Sequence, residues 1–508
     1  MGRKVAEPKL FVSFALDRLV PSNHLVRRLA AAVDLSFVHE LVRDRYSRTG
    51  KPSVDPVVLF KLWLLGYLYN ITSERRLCEE ASLHLAWRWY LGYELDEDLP
   101  DHSVLTKARR RFGPGVYEAF FRQILKLCDE RGLVDGGVIF IDSTLSDADA
   151  ARKSLQPRGM AGHHLPEPTQ YFRDLQVVND EPDEAPEPEP PRPRTNRGRK
   201  PQQEPAEPKP TWSTRRALVS TTDPDAELVK RRDGRTRLAH KTQVVNDGGK
   251  AGIITAVEVG AAGDSDASAV GRMLDKHRAN LGRGARELVG DSGYGTDGAV
   301  RECLAREVLP TMKTRSRSRS KDKFGPEAFI HSAEQDVLFC PAGEELGRVR
   351  EHFVNKLAIY QPVRRGVCAS CPLKAHCAPG KGDRQVQRTW DVRLLDQARA
   401  HLATPRARRR FRHRGVVSER TMADLKRKHG FDRAQFRGRR NVQIQALLTA
   451  AVFNIKELVK VWPRAQEVRT ALALPTTTLE ALHALMGRFQ AAWRTVLGPI
   501  PVSRLDLA

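Results

Sequence analysis

The first 135 residues carry apolar side chains at helical spacing, and the breaks in this pattern coincide with capping residues. The clearest stretch runs from Pro56 to Tyr69, where Asp55 supplies a capping carboxylate directly before a proline. Ser73 is placed to open a second helix, and Asp101 a third. We therefore expect an all-helical N-terminal domain over residues 1–135.

The helix that Asp101 opens is predicted to have an apolar face and a basic face. Leu105, Ala108 and Phe112 share one side at helical spacing. Four basic residues are then expected to point outward: Lys107, Arg109, Arg110 and Arg111. A short helix of this kind after a turn suits the recognition helix of a helix-turn-helix motif, and an ordinary solvated helix face explains the pattern equally well.

Beyond the helical domain the pattern changes to short apolar strands separated by helices. Val138 to Ile141 predict a buried strand that Asp142 closes, and 238–246 with 252–259 predict a hairpin around two glycines. A helix follows, then a short strand ending at Asp291, then a further helix and strand. This order predicts a mixed α/β fold, a sheet with helices packed on it.

Two stretches interrupt the α/β pattern. Proline at short intervals and a lack of apolar residues predict a disordered linker, and a basic run with four cysteines marks an insertion. The expected organisation is a helical domain at 1–135, a first part of the core at 136–149 and 216–312, a disordered Pro/Glu/Arg-rich linker at 150–215, a basic and Cys-rich insertion at 313–405, final core helices at 406–462, and a helical tail at 463–508.

Charge adds a class of partner to this picture. The 508 residues include 85 Lys and Arg against 62 Asp and Glu, a net charge of +23, with six arginines between Arg406 and Arg414. Such clustering favours a polyanion, nucleic acid before a membrane surface. The sequence shows neither a signal-peptide pattern nor an apolar stretch long enough to span a bilayer, so we expect a cytoplasmic, nucleoid-associated protein without a membrane partner.

Three acidic residues occupy comparable positions in the catalytic half. Asp142 and Asp291 each end a predicted core strand, and Glu419 lies on a helix beyond the insertion. If these elements meet at one sheet edge, the three like charges require cations, and two Mg²⁺ or Mn²⁺ ions roughly 3.5–4 Å apart suit in-line attack on a phosphodiester. Lys426, two turns after Glu419 on the same face, suits a nearby phosphate. Taken alone, Asp142 is equally explained by a turn with the two hydroxyl residues that follow it.

Other residues of this half compete for such roles. A lone His240 in a predicted strand is interpreted as structural. Most of the remaining acids sit beside Gly, Ser or Pro, where Asp is a turn or capping residue. They are Asp147, Asp149, Asp223, Asp225, Asp247, Asp264 and Asp266.

Four cysteines of the insertion have the spacing of a metal site. Cys368 and Cys371 form a Cys-x₂-Cys pair, Cys377 follows, and Cys340 lies upstream. Four thiolates suit a tetrahedral structural Zn²⁺ ion. Reduced, unliganded thiols in a loop are the alternative, and the polar surroundings favour the metal.

Three blocks, FIDSTL (140–145), GDSGYG (290–295) and SERTMADLKRKHG followed by NVQIQALLTAAVFNIKELV, resemble those of bacterial insertion-sequence transposases of the DDE type. The helical N-terminal stretch is similar to the domain usual in that group, and the resemblance spans roughly residues 15–460 apart from the linker. It implies an RNase H-like catalytic fold and strand transfer of the element's 3′ ends into target DNA. It also implies Asp142, Asp291 and Glu419 as the metal-binding triad, with Arg420 and Lys426 near DNA.

One departure from the family pattern lies just before the acidic residue. Relatives carry Tyr, two residues, Arg, three residues and then Glu. Here Phe411 and Arg414 take the first two places, and four residues precede Glu419. The exact role of Arg414 is the point that this spacing leaves open.

The leading hypothesis is therefore a DDE transposase that acts on double-stranded DNA, the inverted-repeat ends and the target, as a homodimer. A metal-dependent nuclease on the same fold, which cuts without joining, and a catalytically dead DNA-binding protein are the alternatives. The predicted DNA contacts are Lys107, Arg109, Arg110, Arg111, Arg410, Arg414, Arg420 and Lys426.

Overall fold

The computed structural model describes most of the chain apart from the expected linker and tail. The described residues are 15–47, 53–157, 218–230, 234–314, 323–325, 328–332, 334–353, 357–377, 382–389 and 392–471. The fold mixes helices and strands behind a helical N-terminal region, which confirms the predicted fold class. Most of the predicted linker, most of the basic run and the predicted tail beyond 471 lie outside the described residues.

Seven helices form the N-terminal region, and predicted caps open three of them. Asp55, Ser73 and Asp101 each accept a hydrogen bond from a backbone N–H in the first turn. The single helix expected after Ser73 is two, because the backbone of His84 between them is extended. The helices are α1 Leu16–Leu19, α2 Leu25–Ala32, α3 Val38–Val42, α4 Pro56–Leu68, α5 Glu74–Leu83, α6 Leu85–Leu91 and α7 His102–Glu130.

Helix α7 is much longer than the short element that the sequence suggested. It continues for 29 residues and bends where Gly113 takes a left-handed φ of 69° ahead of Pro114. A proline inside a helix lacks the N–H that the ladder needs, so a kink rather than an end forms there. The basic segment of this helix is its first three turns, anchored by the long apolar remainder.

Eight strands precede the Cys-rich insertion, and six of them form one sheet. They are β1 Val138–Asp147, β2 Leu155–Pro157, β3 Leu218–Ser220, β4 Glu227–Lys230, β5 Thr236–Asp247, β6 Ile254–Ala261, β7 Glu287–Gly290 and β8 Leu309–Met312. The order is β4-β5-β1-β7-β8, with β6 also on β5. Strand β1 is antiparallel to β5 and parallel to β7. The separate β2–β3 pair contains the first residues of the stretch predicted as linker.

Both faces of the six-stranded sheet are covered. Helices α8 (Val270–Leu281) and α9 (Asp297–Leu304) pack on one face around Met273 and Leu288. The other face joins the N-terminal helices in one continuous core through the last helix of the chain. A sheet buried on both faces explains the apolar run 138–141 at the start of β1 and the apolar centre of β7.

The insertion forms a second, smaller sheet. Its strands are β9 Ile330–Ser332, β10 Val337–Phe339, β11 Glu345–His352, β12 Leu357–Pro362 and β13 Val386–Thr389, with the short helix α10 Lys374–Cys377. They lie in the order β13-β12-β11-β10-β9, each antiparallel to its neighbour. The fully buried part of its core is six side chains: Phe329, Leu338, Leu346, Ala358, Tyr360 and Val386.

The two ends of the insertion are joined by side-chain hydrogen bonds. Thr311 lies on β8, the strand that leads into the insertion. Its Oγ1 lies 3.0 Å from Nε2 of His401, which is on the helix that follows β13. Arg399 on that same helix donates from Nε to Thr314 Oγ1 at 2.9 Å. The insertion therefore leaves the core and returns to it at one place.

Four further helices follow β13 in the described part of the chain: α11 Val392–Ala403, α12 Pro405–Arg414, α13 Arg420–His429 and α14 Arg439–Ala471. Helix α14 covers the outer edge of β6, where Asn454 both donates to Ile254 O and accepts from Ile254 N–H at 2.8 Å. Part of α14, Arg439–Val461, is long and apolar enough to cross a membrane, but 89% of its apolar window is buried inside the protein. It is a core helix, as its apolar surface predicts.

Candidate active site

The three predicted acids of the triad line one cavity of about 780 Å³. Asp291 directly follows β7, as predicted, whereas Asp142 lies in the middle of β1 rather than at its end. The strand continues because β5 stays paired with it as far as Asp147. Phe140 pairs with Val289 in parallel register, and the two aspartates each follow two residues later. The fold therefore brings both carboxylates to the same edge of the sheet.

Glu419 reaches this cavity through an unusual turn. Residues Gly415–Glu419 form a π-helical turn between α12 and α13. Such a turn accommodates one residue more than an α-helical turn and keeps residues five apart on one face. Arg414 and Glu419, separated by four residues, consequently both line the cavity. The π turn therefore accommodates the extra residue between Arg414 and Glu419 without moving either side chain away from the cavity.

Arg414 forms an ion pair with Asp142 inside the cavity. Its Nη1 lies 3.1 Å from Asp142 Oδ2, and the Ser143 N–H donates to the other oxygen at 2.8 Å. Burial raises the pKa of Asp142, and the charges of Asp291 and Asp266 act in the same direction, against Ser143 and Arg414. The site thus concentrates negative charge that one guanidinium partly offsets.

A further carboxylate, Asp266, lines the same cavity. Gln243 donates to its Oδ1 at 3.1 Å, and Lys241 Nζ lies 3.2 Å from it. A Cβ on Gly293 would come 2.8 Å from Asp291 Oδ1 and 3.2 Å from Asp266 Oδ2, so both carboxylates lie over this glycine. Sequence reasoning interpreted Asp266 as a turn residue. The signal was on β5, where Lys241 and Gln243 lie two positions apart and therefore on the same face of the strand.

Lysines and arginines line the cavity together with six carboxylates. The lysines and arginines that line it are Lys230, Arg237, Lys241, Arg414 and Lys426. Lys426 and Arg414 were predicted here, whereas the other three lie on β4 and β5 in a stretch that gave no motif. A wide, open cavity with acids at its floor and cations on its walls suits a phosphodiester substrate.

Two basic residues expected to contact DNA form ion pairs within the fold. Arg109 is only 7% exposed, ion-pairs with Glu74 and stacks over the Phe436 ring at 3.7 Å, so the expectation that it points outward is wrong. Helical spacing missed this because Phe436 comes from a distant segment. Arg410 ion-pairs with Glu287, which is buried in β7.

The remaining predicted contacts lie on the surface. Lys107, Arg110 and Arg111 are exposed on α7, and Arg111 also lies over the Tyr46 ring at 5.1 Å. Arg420 is exposed and donates to the backbone oxygen of Ala251 at 3.2 Å. None of these four lines the carboxylate cavity.

The four cysteines of the insertion line a second cavity, of about 30 Å³. All are free thiols. Within the described ranges, no three His, Cys, Asp or Glu side chains stand close enough together to hold an ion without rearrangement, and this holds for both cavities. His240, interpreted as structural, is fully buried with Nε2 2.9 Å from Asp223 Oδ2, in agreement with that interpretation.

Family models match two separate parts of the chain. Residues 14–111, which contain helices α1 to α6 and the start of α7, match a transposase domain (DUF772). Residues 339–459, from the first cysteine of the insertion through Glu419 and most of α14, match a transposase DDE domain. A comparison with curated proteins gave no match. The chain is therefore similar to transposases over two separate regions, one helical and one that contains Glu419.

Proposed function

We propose that this transposase cleaves DNA at the ends of its element and joins the 3′ ends to target DNA in a divalent-metal-dependent reaction. Asp142, Asp291 and Glu419 are the proposed acids of the site. The observation that carries the proposal is their meeting at one basic-walled cavity, although they lie far apart in the sequence. A protein that only binds DNA needs no such group of acids beside a phosphate site.

The donor set fits Mg²⁺ or Mn²⁺. Carboxylate oxygens are the hard ligands that these ions prefer, and Asp142 is a partly buried carboxylate destabilised by its acidic neighbours. The residues that would hold the metal are Asp142, Asp291 and Glu419, with Asp266 beside them. When bound, the metal polarises the scissile phosphodiester and lowers the pKa of the attacking hydroxyl.

The basic residues of the chain position the DNA strand for this reaction. In the transfer step, a 3′-hydroxyl oxygen forms a new P–O bond with the target phosphorus, while the bond to the leaving 3′ oxygen breaks and that oxygen takes up a proton. Lys426 and Arg414, on opposite sides of Glu419 in the sequence, are placed to offset phosphate charge at the cavity. Arg414 would exchange its partner Asp142 for a phosphate when DNA enters.

Duplex DNA outside the cavity would be held by exposed basic residues. Lys107, Arg110 and Arg111 on α7 and Arg420 at the start of α13 are the proposed contacts. We expect a homodimer, because two element ends must be processed together, in the cytoplasm on the nucleoid. The domain boundaries given above remain part of this proposal, with the helical domain as the principal duplex-binding unit.

The test uses purified full-length protein, Mg²⁺ or Mn²⁺, and labelled DNA carrying the element's own ends. Asp142→Ala, Asp291→Ala and Glu419→Ala should each reduce cleavage and joining by about 10³-fold or more, with DNA binding retained. Asp275→Ala is the matched control. This carboxylate lies on α8, outside the cavity, and pairs with Arg306.

The outcomes separate the alternatives. Full activity in one of the three variants would remove that residue from the site. Cleavage without a joined product would indicate the nuclease, and metal-independent binding without cleavage would indicate a catalytically dead DNA-binding protein.

A further inference from the structure

Four thiols of the insertion surround one small cavity, whose donor atoms differ from those of the carboxylate site. Cys340 lies at the end of β10, and Cys368, Cys371 and Cys377 lie on the segment between β12 and β13. All four line one cavity of about 30 Å³. We propose that these cysteines bind one Zn²⁺ ion that holds the insertion together.

Backbone N–H groups already point at two of the sulfurs. Glu344 N–H donates to Cys340 Sγ at 3.3 Å, and Arg384 N–H donates to Cys368 Sγ at 3.5 Å. Asp383 fixes the second loop by accepting from the N–H groups of Gly366 and Cys368. Donors aimed at sulfur stabilise a thiolate, which is the metal-binding form of cysteine.

The charges around the cavity also suit a metal–thiolate centre. Four thiolates around Zn²⁺ carry a net charge of −2, and binding releases the four thiol protons to solvent. Lys374 and Arg384 line the same cavity. Arg384 is held there by Phe324, whose backbone oxygen accepts from its Nη2 at 3.2 Å. Two cations at the rim therefore match the charge that the bound ion would leave.

The insertion needs such a centre because its own core is small. Within the described part of the insertion, one cluster of six buried apolar side chains supports five strands, and Cys340 and Cys377 pack against that cluster. Modules of this size rarely reach stability on apolar burial alone and use a structural metal or disulfides instead. The four cysteines are free thiols rather than disulfides, so they are available as metal ligands.

The thiols stand around the cavity without converging to coordination distance, as described above. Binding of one ion would require the four sulfurs to move closer together. Soft sulfur donors in a set of four select Zn²⁺ over the Mg²⁺ that suits the carboxylate cavity. The two sites thus sort their metals by donor chemistry.

The experiment measures the metal content of full-length protein purified without added metal. We expect one zinc per chain by elemental mass spectrometry, released on titration of the thiols with a mercurial reagent. Replacement by Co²⁺ should give the absorption bands of a tetrahedral thiolate site. Cys371→Ser should reduce bound zinc at least tenfold, whereas Cys78→Ser, a half-exposed thiol on α5, should leave it unchanged.

Several outcomes would overturn the proposal. They are a zinc-free protein that gives no tetrahedral Co²⁺ spectrum, iron in place of zinc, or zinc content unaffected by Cys371→Ser. Because the wild-type titration requires no variant, failure of Cys371→Ser to fold would not hide the answer. Zinc retained in Asp142→Ala and Asp291→Ala would separate this site from the catalytic one.

Discussion

The two cavities of this protein are built in opposite ways. The carboxylate cavity is wide and open, and its floor belongs to strands β1 and β7 in the middle of a sheet covered on both faces. The thiol cavity is small, and its walls are loops around a core of six side chains. The six-stranded sheet supports its charged site with a large apolar core. The sheet of the insertion has only a small core beside its thiol site.

This difference separates two uses of ligand side chains. In the carboxylate cavity, burial raises the pKa of Asp142 and the charges of Asp291 and Asp266 add to that effect, which substrate and metal would relieve. In the thiol cavity, metal binding would supply the stability that the core lacks. Loss of ligands should therefore abolish activity in the first case and folding in the second.

Removal of metal from the thiol cavity should have the largest effect on structure. In Cys371→Ser, amide exchange in strands β9 to β13 should accelerate by about 10³-fold or more, because the module would open without its ion. Strand β1 and helix α14 should keep their protection, which hydrogen exchange read by mass spectrometry would measure. Equal acceleration in β1 would show that the two regions unfold as one unit and break the comparison.

Asp266→Ala should lower strand transfer by about 10²-fold, since it removes a carboxylate beside Asp291. DNA affinity should stay constant, and the Mg²⁺ concentration for half-maximal activity should rise. Asp266→Glu should recover part of the activity if the carboxylate itself matters. Asp264→Ala, an exposed neighbour outside the cavity, is the matched control. Unchanged metal dependence in Asp266→Ala would reduce this residue to a partner of Lys241.

Lys426→Ala should weaken DNA binding about tenfold and reduce the slope of log affinity against log salt by about one, as expected for one phosphate contact. Lys428→Ala is the comparison, because that lysine pairs with Asp424 at 2.7 Å on the same helix. A titration of binding against salt for both variants gives the answer. Identical slopes for the two would remove Lys426 from the DNA path.

The smallest expected effect is on the stability of the folded protein, through the protonation of Asp142. Because the pKa of Asp142 is raised above its ordinary 3.8, the folded state keeps this proton more tightly than the unfolded state. Its contribution is complete below pH 3.8 and is lost as the pH rises through the folded pKa. At neutral pH in chelator, Asp142→Asn should therefore unfold at a slightly higher temperature than wild type.

Asp275 provides the opposite sign for the same measurement. Hydrogen bonding to Arg306 lowers the pKa of Asp275, so Asp275→Asn should not stabilise the protein at neutral pH. Melting curves recorded at several pH values distinguish the two substitutions. A lower melting temperature for Asp142→Asn would contradict the picture of a site held together against its own charge.

Elements with strong local signals were predictable from the sequence. The β5–β6 hairpin lies within two residues of its expected ends, and the caps at Asp55, Ser73 and Asp101 form as expected. What failed depended on distant partners. Asp142 was placed at a strand end because Asp is unfavourable within strands, and the residue that offsets it, Arg414, lies 272 positions away.

The candidate site shows the same division. Its three acids were found because each belongs to a recognisable block, whereas Asp266 was masked by its place in a capping segment. The π turn before Glu419 has no sequence signal of its own, since one extra residue in a helix is visible only against a known spacing. Arg109 was misplaced because helical periodicity describes one helix and not the Phe436 that covers it.

The hydrogen bonds between Thr311 and His401 and between Thr314 and Arg399 have an evolutionary consequence. They make the insertion a side loop closed at its base, and the entropic cost of lengthening such a loop grows only slowly with its length. Related elements can therefore enlarge, shrink or replace this module while the helix carrying Glu419 stays in register with the sheet. The number of residues between Asp291 and Glu419 can therefore change while the positions of the two side chains in the cavity stay the same.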